Sequence, residues 1–195
     1  ASNNTAIGKS ALLSNTTGGD NVAIGYEALT NNTTAGNNVA IGKDALRANT
    51  TGNTNVAIGT DAMTTNVAAD RNVAIGEQAL QNMTAATSTD TYNIGIGYNA
   101  GLAVTTGIRN TLIGGLAGDA LTTANNNTAV GQAALTTNTT GASNTAVGQF
   151  ALGSNTTASN NTAVGGDALG ANTTGTANTF IGSLCGDNAQ TVSYS

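Results

Sequence analysis

Residues 21–37 read NVAIGYEALTNNTTAGN, and this stretch decides the fold because close copies of it fill the chain. An Asn followed by a short apolar segment and a Gly returns with a period of seventeen, broken by one interval of twenty-one. Eleven copies begin at residues 4, 21, 38, 55, 72, 93, 110, 127, 144, 161 and 178. A repeat this short and regular is typical of a solenoid, so we interpret residues 1–195 as a single repeat domain.

The residue types within one copy predict β-structure. When each copy is numbered from its Asn, position 2 is Val, Thr or Ile, position 3 is mostly Ala, position 4 is Ile or Val, and position 5 is Gly. Side chains alternate across a strand, so we expect a strand at positions 2–4 with position 4 in the core and position 3 on the other face. The Gly suits a tight corner with positive φ.

The rest of the copy predicts a second short strand and a return loop. Position 8 is Ala or Cys and position 9 is mostly Leu, and we expect these two side chains on opposite faces. The polar Asn-Thr-Thr stretch that follows is expected to turn the chain back. A helix is disfavoured because Gly and polar stretches such as Asn-Thr-Thr recur from copy to copy. The fold class is therefore all-β, a parallel β-solenoid of eleven coils.

Stacked coils place each residue type in a row along the rod, at a spacing of about 4.8 Å. The Asn row is expected to form a hydrogen-bonded ladder, as in other stacked β arrays. The residues predicted to build the ladder, core and corner of two successive coils are Asn21, Ile24, Gly25, Ala28, Leu29, Asn38, Ile41, Gly42, Ala45 and Leu46.

The coil is thin, and apolar residues recur on both expected faces. A solvated single solenoid has no need for Ala at position 3 and Ala or Leu at position 8 or 9 in nearly every copy, so we expect the outward face to be buried between chains. The sequence therefore predicts that the protein binds itself, as a cyclic homo-oligomer or a polymer.

The composition excludes several functions. The net charge is −5, the chain has no His and one Cys, and Arg109 is the last of its five bases. We therefore expect no enzyme activity, no metal, no cofactor and no nucleic-acid binding. No apolar run reaches the length of a membrane span, so membrane insertion is not expected. A carboxylate row at position 7, including Asp44 and Asp61, is an alternative cation site, but a solvated corner is favoured.

The repeat Asn-Val-Ala-Ile-Gly-x-x-Ala-Leu resembles the head repeats of trimeric autotransporter adhesins. The longer form, carried best by residues 4–18 and 127–141, is similar to repeats of phage tail fibres and related surface fibres. The resemblance implies a left-handed parallel β-roll, three copies of which pack as a trimer. It also implies an extracellular, cell-surface or virion location. The adhesin repeat is shorter, so the return loop here must be longer.

Departures from the repeat mark candidate contact sites. The exposed aromatics Tyr26 and Tyr98 at position 6, and Phe150 at position 7, are candidates to touch a host glycan or receptor. The long copy inserts four residues near residues 84–92, and loops of this kind often carry binding specificity. Within it we single out Thr87, Asp90 and Tyr92.

These observations favour a rigid fibre module that supplies reach and attachment, with avidity from multivalent display. The alternative is a self-assembling extracellular filament subunit whose coils stack end to end. A third hypothesis is an ice-binding solenoid, because Thr pairs such as Thr16-Thr17 and Thr33-Thr34 would align along one edge. A row of polar turns is the simpler interpretation of those pairs.

Overall fold

The computed structural model describes residues 1–84, 89–188, 191 and 193. Over these residues the protein is a parallel β-solenoid without a helix. The strands are β1 (Thr5–Ile7), β2 (Val22–Ile24), β3 (Val39–Ile41), β4 (Val56–Ile58), β5 (Ala69–Asp70), β6 (Val73–Ile75), β7 (Thr89–Asp90), β8 (Ile94–Ile96), β9 (Thr111–Ile113), β10 (Thr128–Val130), β11 (Thr145–Val147), β12 (Thr162–Val164) and β13 (Thr179–Ile181).

One strand per copy forms an 11-stranded parallel sheet, which confirms the predicted strand at positions 2–4. Pairing joins equal positions of successive copies, as in Ala23 with Ala40 and Ile24 with Ile41. The long copy keeps this register, because Ile75 pairs with Ile96 across the insertion. Among its described residues, the long copy adds β7, which pairs with β5 of the preceding coil in a two-stranded sheet. A solenoid accepts extra residues in a loop, since each coil contacts only its neighbours.

The prediction of which strand face is buried was wrong. Ala23 and Ala40 at position 3 are fully buried, whereas Ile24 and Ile41 at position 4 lie on the outward face and are half-buried. The reason is the width of the coil. A Cβ added to Gly95, the position-3 residue of coil 6, would lie 2.8 Å from Leu80 Cγ, so the Leu row already fills the space facing position 3. A small residue fits there beside a Leu at position 9, whereas coil 7, with Gly118 at position 9, buries Leu112 at position 3.

Positions 8 and 9 form a turn and not the predicted second strand. Ala28 and Leu29 are both fully buried, as are Ala45 and Leu46, so the prediction of opposite faces was also wrong. Leu29 and Leu46 each have φ 51°, in the left-handed region. This conformation breaks the strand alternation and turns two consecutive side chains into the core.

The Gly corner at position 5 is confirmed. Gly25 has φ 139° and Gly42 has φ 136°. A Cβ at Gly25 would lie 2.3 Å from the carbonyl oxygen of Gly42, so the row also allows successive corners to approach closely. Both the conformation and the contact require glycine.

The predicted Asn ladder at position 1 is also confirmed, and it bonds mainly to the backbone. Asn38 is fully buried, and its Oδ1 accepts the backbone N–H of Asn55 at 2.9 Å. Its Nδ2 donates to the carbonyl of Gly52, at position 15 of the same coil, at 2.9 Å. Each Asn therefore ties its own return loop to its strand and binds the next coil. Asn21 makes the same contacts with Asn38 N and the carbonyl of Ala35.

A second buried Asn ladder, at position 12, was missed from the sequence. Asn32 donates to Asn15 Oδ1 at 3.0 Å and to the carbonyl of Ala35 at 3.0 Å. The signal was present, since position 12 is Asn in seven copies: Asn15, Asn32, Asn49, Asn66, Asn138, Asn155 and Asn172. Sequence reasoning places these residues in a polar turn and gives them no role in the core. Burial of most of them makes the return loop part of the core.

Candidate functional site

An apolar ribbon runs along the outward face of the 11-stranded sheet. We define the ribbon as the side chains at positions 2 and 4, from Thr5 and Ile7 to Thr179 and Ile181. In coils 2–6 it consists of Val and Ile, and in coils 7–11 of Thr with Ile or Val. Most of these side chains are half-buried, because each is covered by its equivalents in the coils above and below. Nothing in the described chain covers them from outside.

The exposed aromatics at position 6 border this ribbon beyond the Gly corner. Tyr26 is 43% exposed and Tyr98 is 54% exposed, so both are accessible as predicted. Lys9 Nζ lies 5.7 Å from the centre of the Tyr26 ring, a cation–π contact between successive coils. The Glu27 carboxylate, by its interaction with the phenol, raises the pKa of Tyr26 above its ordinary value of 10.0. Tyr26 and Tyr98 stand four coils apart and form no joint site.

The insertion brings together a charged and aromatic cluster on the opposite border of the ribbon. Asp90 forms an ion pair with Arg71, and the Tyr92 hydroxyl donates to Asp90 Oδ2 at 3.0 Å. The Arg71 guanidinium also lies 6.0 Å from the centre of the Tyr92 ring. Asp90 and Tyr92 thus form one contact cluster, whereas Thr87 lies outside the described residues. The contacts with Arg71 are sufficient to hold the Asp90 and Tyr92 side chains in place, and no ligand is needed to account for them.

The carboxylate row at position 7 is occupied by protein contacts. Asp44 lies 3.6 Å from Lys43 and 3.8 Å from Arg47, and Asp61 accepts a bond from Thr64 at 3.5 Å. In the part of the chain that the structure describes, no three acidic or Cys side chains group as metal ligands would. The solvated-corner interpretation is wrong for Asp44, whose side chain is only 13% exposed and whose Oδ1 makes no hydrogen bond.

The Thr pairs serve the stack. Thr16 donates its hydroxyl to the carbonyl of Thr33 at 2.8 Å, and Thr33 donates to Thr50 at 3.1 Å. Similar bonds continue in coils 6 to 9. The hydroxyl of the first Thr in each of these pairs therefore donates a hydrogen bond to the next coil. The second Thr, such as Thr34, is exposed. Ice binding through this row stays a prediction.

A cleft of about 310 Å³ opens on the turn side of coils 8–11, away from the ribbon. Phe150 and Asp167 at position 7 contribute to its walls, together with Thr136, Gly153, Ser154, Gly170, Ala171 and Asp187. Sequence reasoning selects Phe150 as an exposed aromatic and places Asp167 in the carboxylate row at position 7, but it does not bring the two together. The missed signal was glycine at position 10 in two successive copies, where the other nine carry Leu, Thr, Arg, Gln or Asp.

The described residues form a parallel β-solenoid with an exposed sheet face and a cleft on its turn side. The described residues contain no helix long and apolar enough to cross a bilayer. Compared with family models, curated proteins and solved structures, the chain matches none of them.

Proposed function

We propose that this protein is a structural attachment module, a rigid rod in which identical chains pack through the apolar ribbon. The proposed assembly is a homotrimer on a cell surface or virion, where it supplies reach and multivalent contact with a host glycan or receptor. The regular stack supports the rigidity. Buried ladders bond each coil to the next over the whole described length, so bending requires breaking several hydrogen bonds together.

The observation that carries the proposal is the exposed ribbon. Val22 and Ile24 begin two continuous rows of branched side chains, and a monomer would leave both rows in water. Apolar patches of this continuity mark interaction surfaces. The sequence predicts that Ala at positions 3 and 8 forms a second buried face between chains. These Ala side chains lie inside the coil. Oligomerisation is therefore inferred from the side chains at positions 2 and 4.

The size of this face is that of a small interface. Eleven strands at about 4.8 Å, each with the three residues of positions 2–4 at about 3.3 Å, give about 500 Å². Stable interfaces bury about 800 Å² on each partner, so side chains that border the ribbon must contribute to the contact. Equal spacing of coils in every copy also lets side chains of neighbouring rods mesh along their length. Three chains are favoured over two by the resemblance of the repeat to trimeric adhesin heads.

Sedimentation velocity of the whole chain tests the proposal. We expect a species with three times the mass of the 19.0 kDa chain. The double variant Ile41→Lys with Ile58→Lys places two charges on the ribbon and should sediment as a monomer with an unchanged circular dichroism spectrum. The matched control is Thr34→Lys with Thr51→Lys, which adds the same charge at exposed return-loop positions and should remain trimeric.

The same experiment separates the alternatives. A monomer in the unchanged protein at tens of micromolar contradicts the trimeric module. Open polymers that lengthen with concentration favour the filament hypothesis, in which coils of one chain stack on those of the next. A defined species of twice the chain mass keeps the ribbon as an interface but replaces the trimer with a dimer.

A further inference from the structure

The cleft on coils 8–11 arises where several departures from the repeat coincide. Position 10 carries Thr136 in coil 8 and Asp187 in coil 11, but Gly153 and Gly170 in the coils between them. The missing side chain at Gly153 opens a notch in this column, whereas at Gly170 the Asp187 carboxylate lies against the backbone, with Oδ1 2.8 Å from the position of an added Cβ. Its volume of about 310 Å³ lies at the lower end of the range of small-molecule sites.

The walls of the notch combine an aromatic ring with carboxylates. Phe150 is 39% exposed and is the only aromatic residue at position 7 in the eleven copies. Asp167 and Asp187 line the same notch. Thr136 adds a hydroxyl that donates to Asp119 at 2.7 Å, so its oxygen lone pairs remain available as acceptors.

The charge of this region is not compensated. Residues 110–195 contain three acidic residues and no Lys or Arg. Two of the three, Asp167 and Asp187, line the notch, and the third, Asp119, holds the Thr136 hydroxyl that lines it. A ligand with a negative charge would meet carboxylates without a neighbouring cation, which disfavours acidic sugars, sulfates and phosphates. The carboxylates of the notch instead suit a neutral ligand that donates hydrogen bonds to them.

We infer that this notch binds a neutral hexopyranose unit of a glycan. The Phe150 ring packs against the apolar C–H face of the sugar, while Asp167 and Asp187 accept hydrogen bonds from its hydroxyl groups. Gly153 makes room for the ring that a side chain at position 10 would block, and Gly170 lets the Asp187 carboxylate lie at the wall of the notch. The inference deepens the proposed attachment function and rests on it for its biological meaning. The notch lies between positions 7 and 11, beyond the Gly corner, so packing of the ribbon leaves it open.

Saturation-transfer NMR with the unmodified chain tests the inference directly. The probes are the methyl glycosides of glucose, galactose and mannose, each at tens of millimolar, with methyl glucuronide as the anionic comparison. We expect saturation transfer to at least one neutral glycoside and a weaker signal from the glucuronide. The variant Phe150→Ala should weaken binding about 5- to 10-fold, which is the effect of losing one aromatic contact.

One occlusion variant and a matched control make the test independent of the aromatic ring. Gly153→Thr restores the residue type found at position 10 in coils 2, 4 and 8, and it should fill the notch and abolish saturation transfer. The matched control Gly115→Thr adds the same side chain at position 6, where an added Cβ meets only the Tyr98 carbonyl at 4.0 Å, and should bind normally.

Several outcomes overturn the inference. They are an absence of saturation transfer from all neutral glycosides, unchanged binding in Gly153→Thr, tighter binding of the glucuronide, or binding that disappears when EDTA removes divalent cations. Sedimentation of the Ile41→Lys, Ile58→Lys variant tests packing through the ribbon and does not test the notch. A trimer that binds no sugar would therefore contradict only the inference about the notch. A monomer that binds sugar would contradict only the proposed trimer.

Discussion

Coils 2–4 and coils 5–7 fill the same interior with different residues. In coils 2–4, Ala at position 3 packs with Leu or Met at position 9 and Asn at position 12. Coil 7 instead has Leu112, Gly118 and Leu121 at these positions. A Cβ at Gly118 would lie 2.7 Å from Leu121 Cδ1 and 2.8 Å from Leu112 Cδ2, so the larger neighbours occupy the missing Leu volume. The interior constrains the summed volume of a coil more than any single position.

The same comparison distinguishes the two Asn ladders. The position-1 ladder continues through all coils, whereas Met83, Val104 and Leu121 interrupt the position-12 ladder in coils 5–7. At position 1, Asn Oδ1 accepts a backbone N–H of the next coil, which cannot find another partner. At position 12 the bonds between coils run between Asn side chains, as from Asn66 to Asn49 at 3.1 Å, so an apolar run removes these donors and acceptors together. The other bonds of these Asn side chains are to the backbone of their own loop, as from Asn66 to the carbonyl of Ala69.

Breaking the two ladders separately should produce the largest difference in stability. Asn38→Ala leaves the Asn55 N–H without its acceptor and removes one donor to the Gly52 carbonyl, at a cost of about 2–5 kcal/mol in the free energy of unfolding. Asn49→Val places in coil 3 the residue type that coil 6 accepts at position 12. It should cost about 1–2 kcal/mol, because Gly52 keeps its bond from Asn38. Urea unfolding measured by circular dichroism compares them, and equal losses would contradict the distinction.

Overfilling coil 7 should have the next largest effect. Gly118→Leu introduces the residue common at position 9, and its backbone is compatible because Gly118 has φ 55°, close to the φ 51° of Leu46. The new side chain collides with Leu112 and Leu121, and we expect a loss of about 1–3 kcal/mol in unfolding free energy.

The control for this prediction converts coil 7 to the regular pattern. Adding Leu112→Ala and Leu121→Asn to Gly118→Leu recreates the Ala, Leu and Asn of coil 8. We expect thermal and urea unfolding to recover most of the lost stability, since the volumes match again and Asn can join the ladder at Asn138. A triple variant less stable than the single variant would show that coils 5–7 require their own residues for another reason.

The smallest effect concerns the surface of coil 2, where Glu27 at position 7 follows Tyr26. Glu27→Gln removes the main cause of the raised pKa of Tyr26, so that pKa should fall toward 10.0 and phenolate should form at lower pH. Absorbance of the tyrosinate during a pH titration measures it, as a difference from the Tyr26→Phe variant. Asp61→Asn is the matched control for removing a carboxylate at position 7, and a shift of equal size in that variant would rule out the Glu27 contact.

The parallel solenoid, the strand at positions 2–4, the Gly corner and the position-1 ladder were all predictable from the sequence. Each depends on a column of one residue type at a constant spacing, and periodicity alone places such columns in rows. Which strand positions face the core and which face outward was not predictable from periodicity. Ile at position 4 is more apolar than Ala at position 3, and a burial argument based on hydrophobicity selects the wrong face.

The notch and the insertion cluster were predictable only in part. Phe150, Asp90 and Tyr92 stood out as departures from the repeat, and the structure gives Asp90 and Tyr92 a common partner in Arg71. The role of Gly153 and Gly170 required the coils to be stacked. Glycine is common in this chain, and only the position of neighbouring side chains shows where its lack of a side chain leaves space.

The sequence by itself determined the period, the number of coils and the residues that lie in one row, because equal spacing along a chain becomes equal position in a stack. Tertiary structure decided which side of each row is buried. The left-handed conformation at Leu29 and its equivalents sends two adjacent side chains inward and fills the narrow coil. Ala then fits best at position 3, and the branched residues at positions 2 and 4 must face outward.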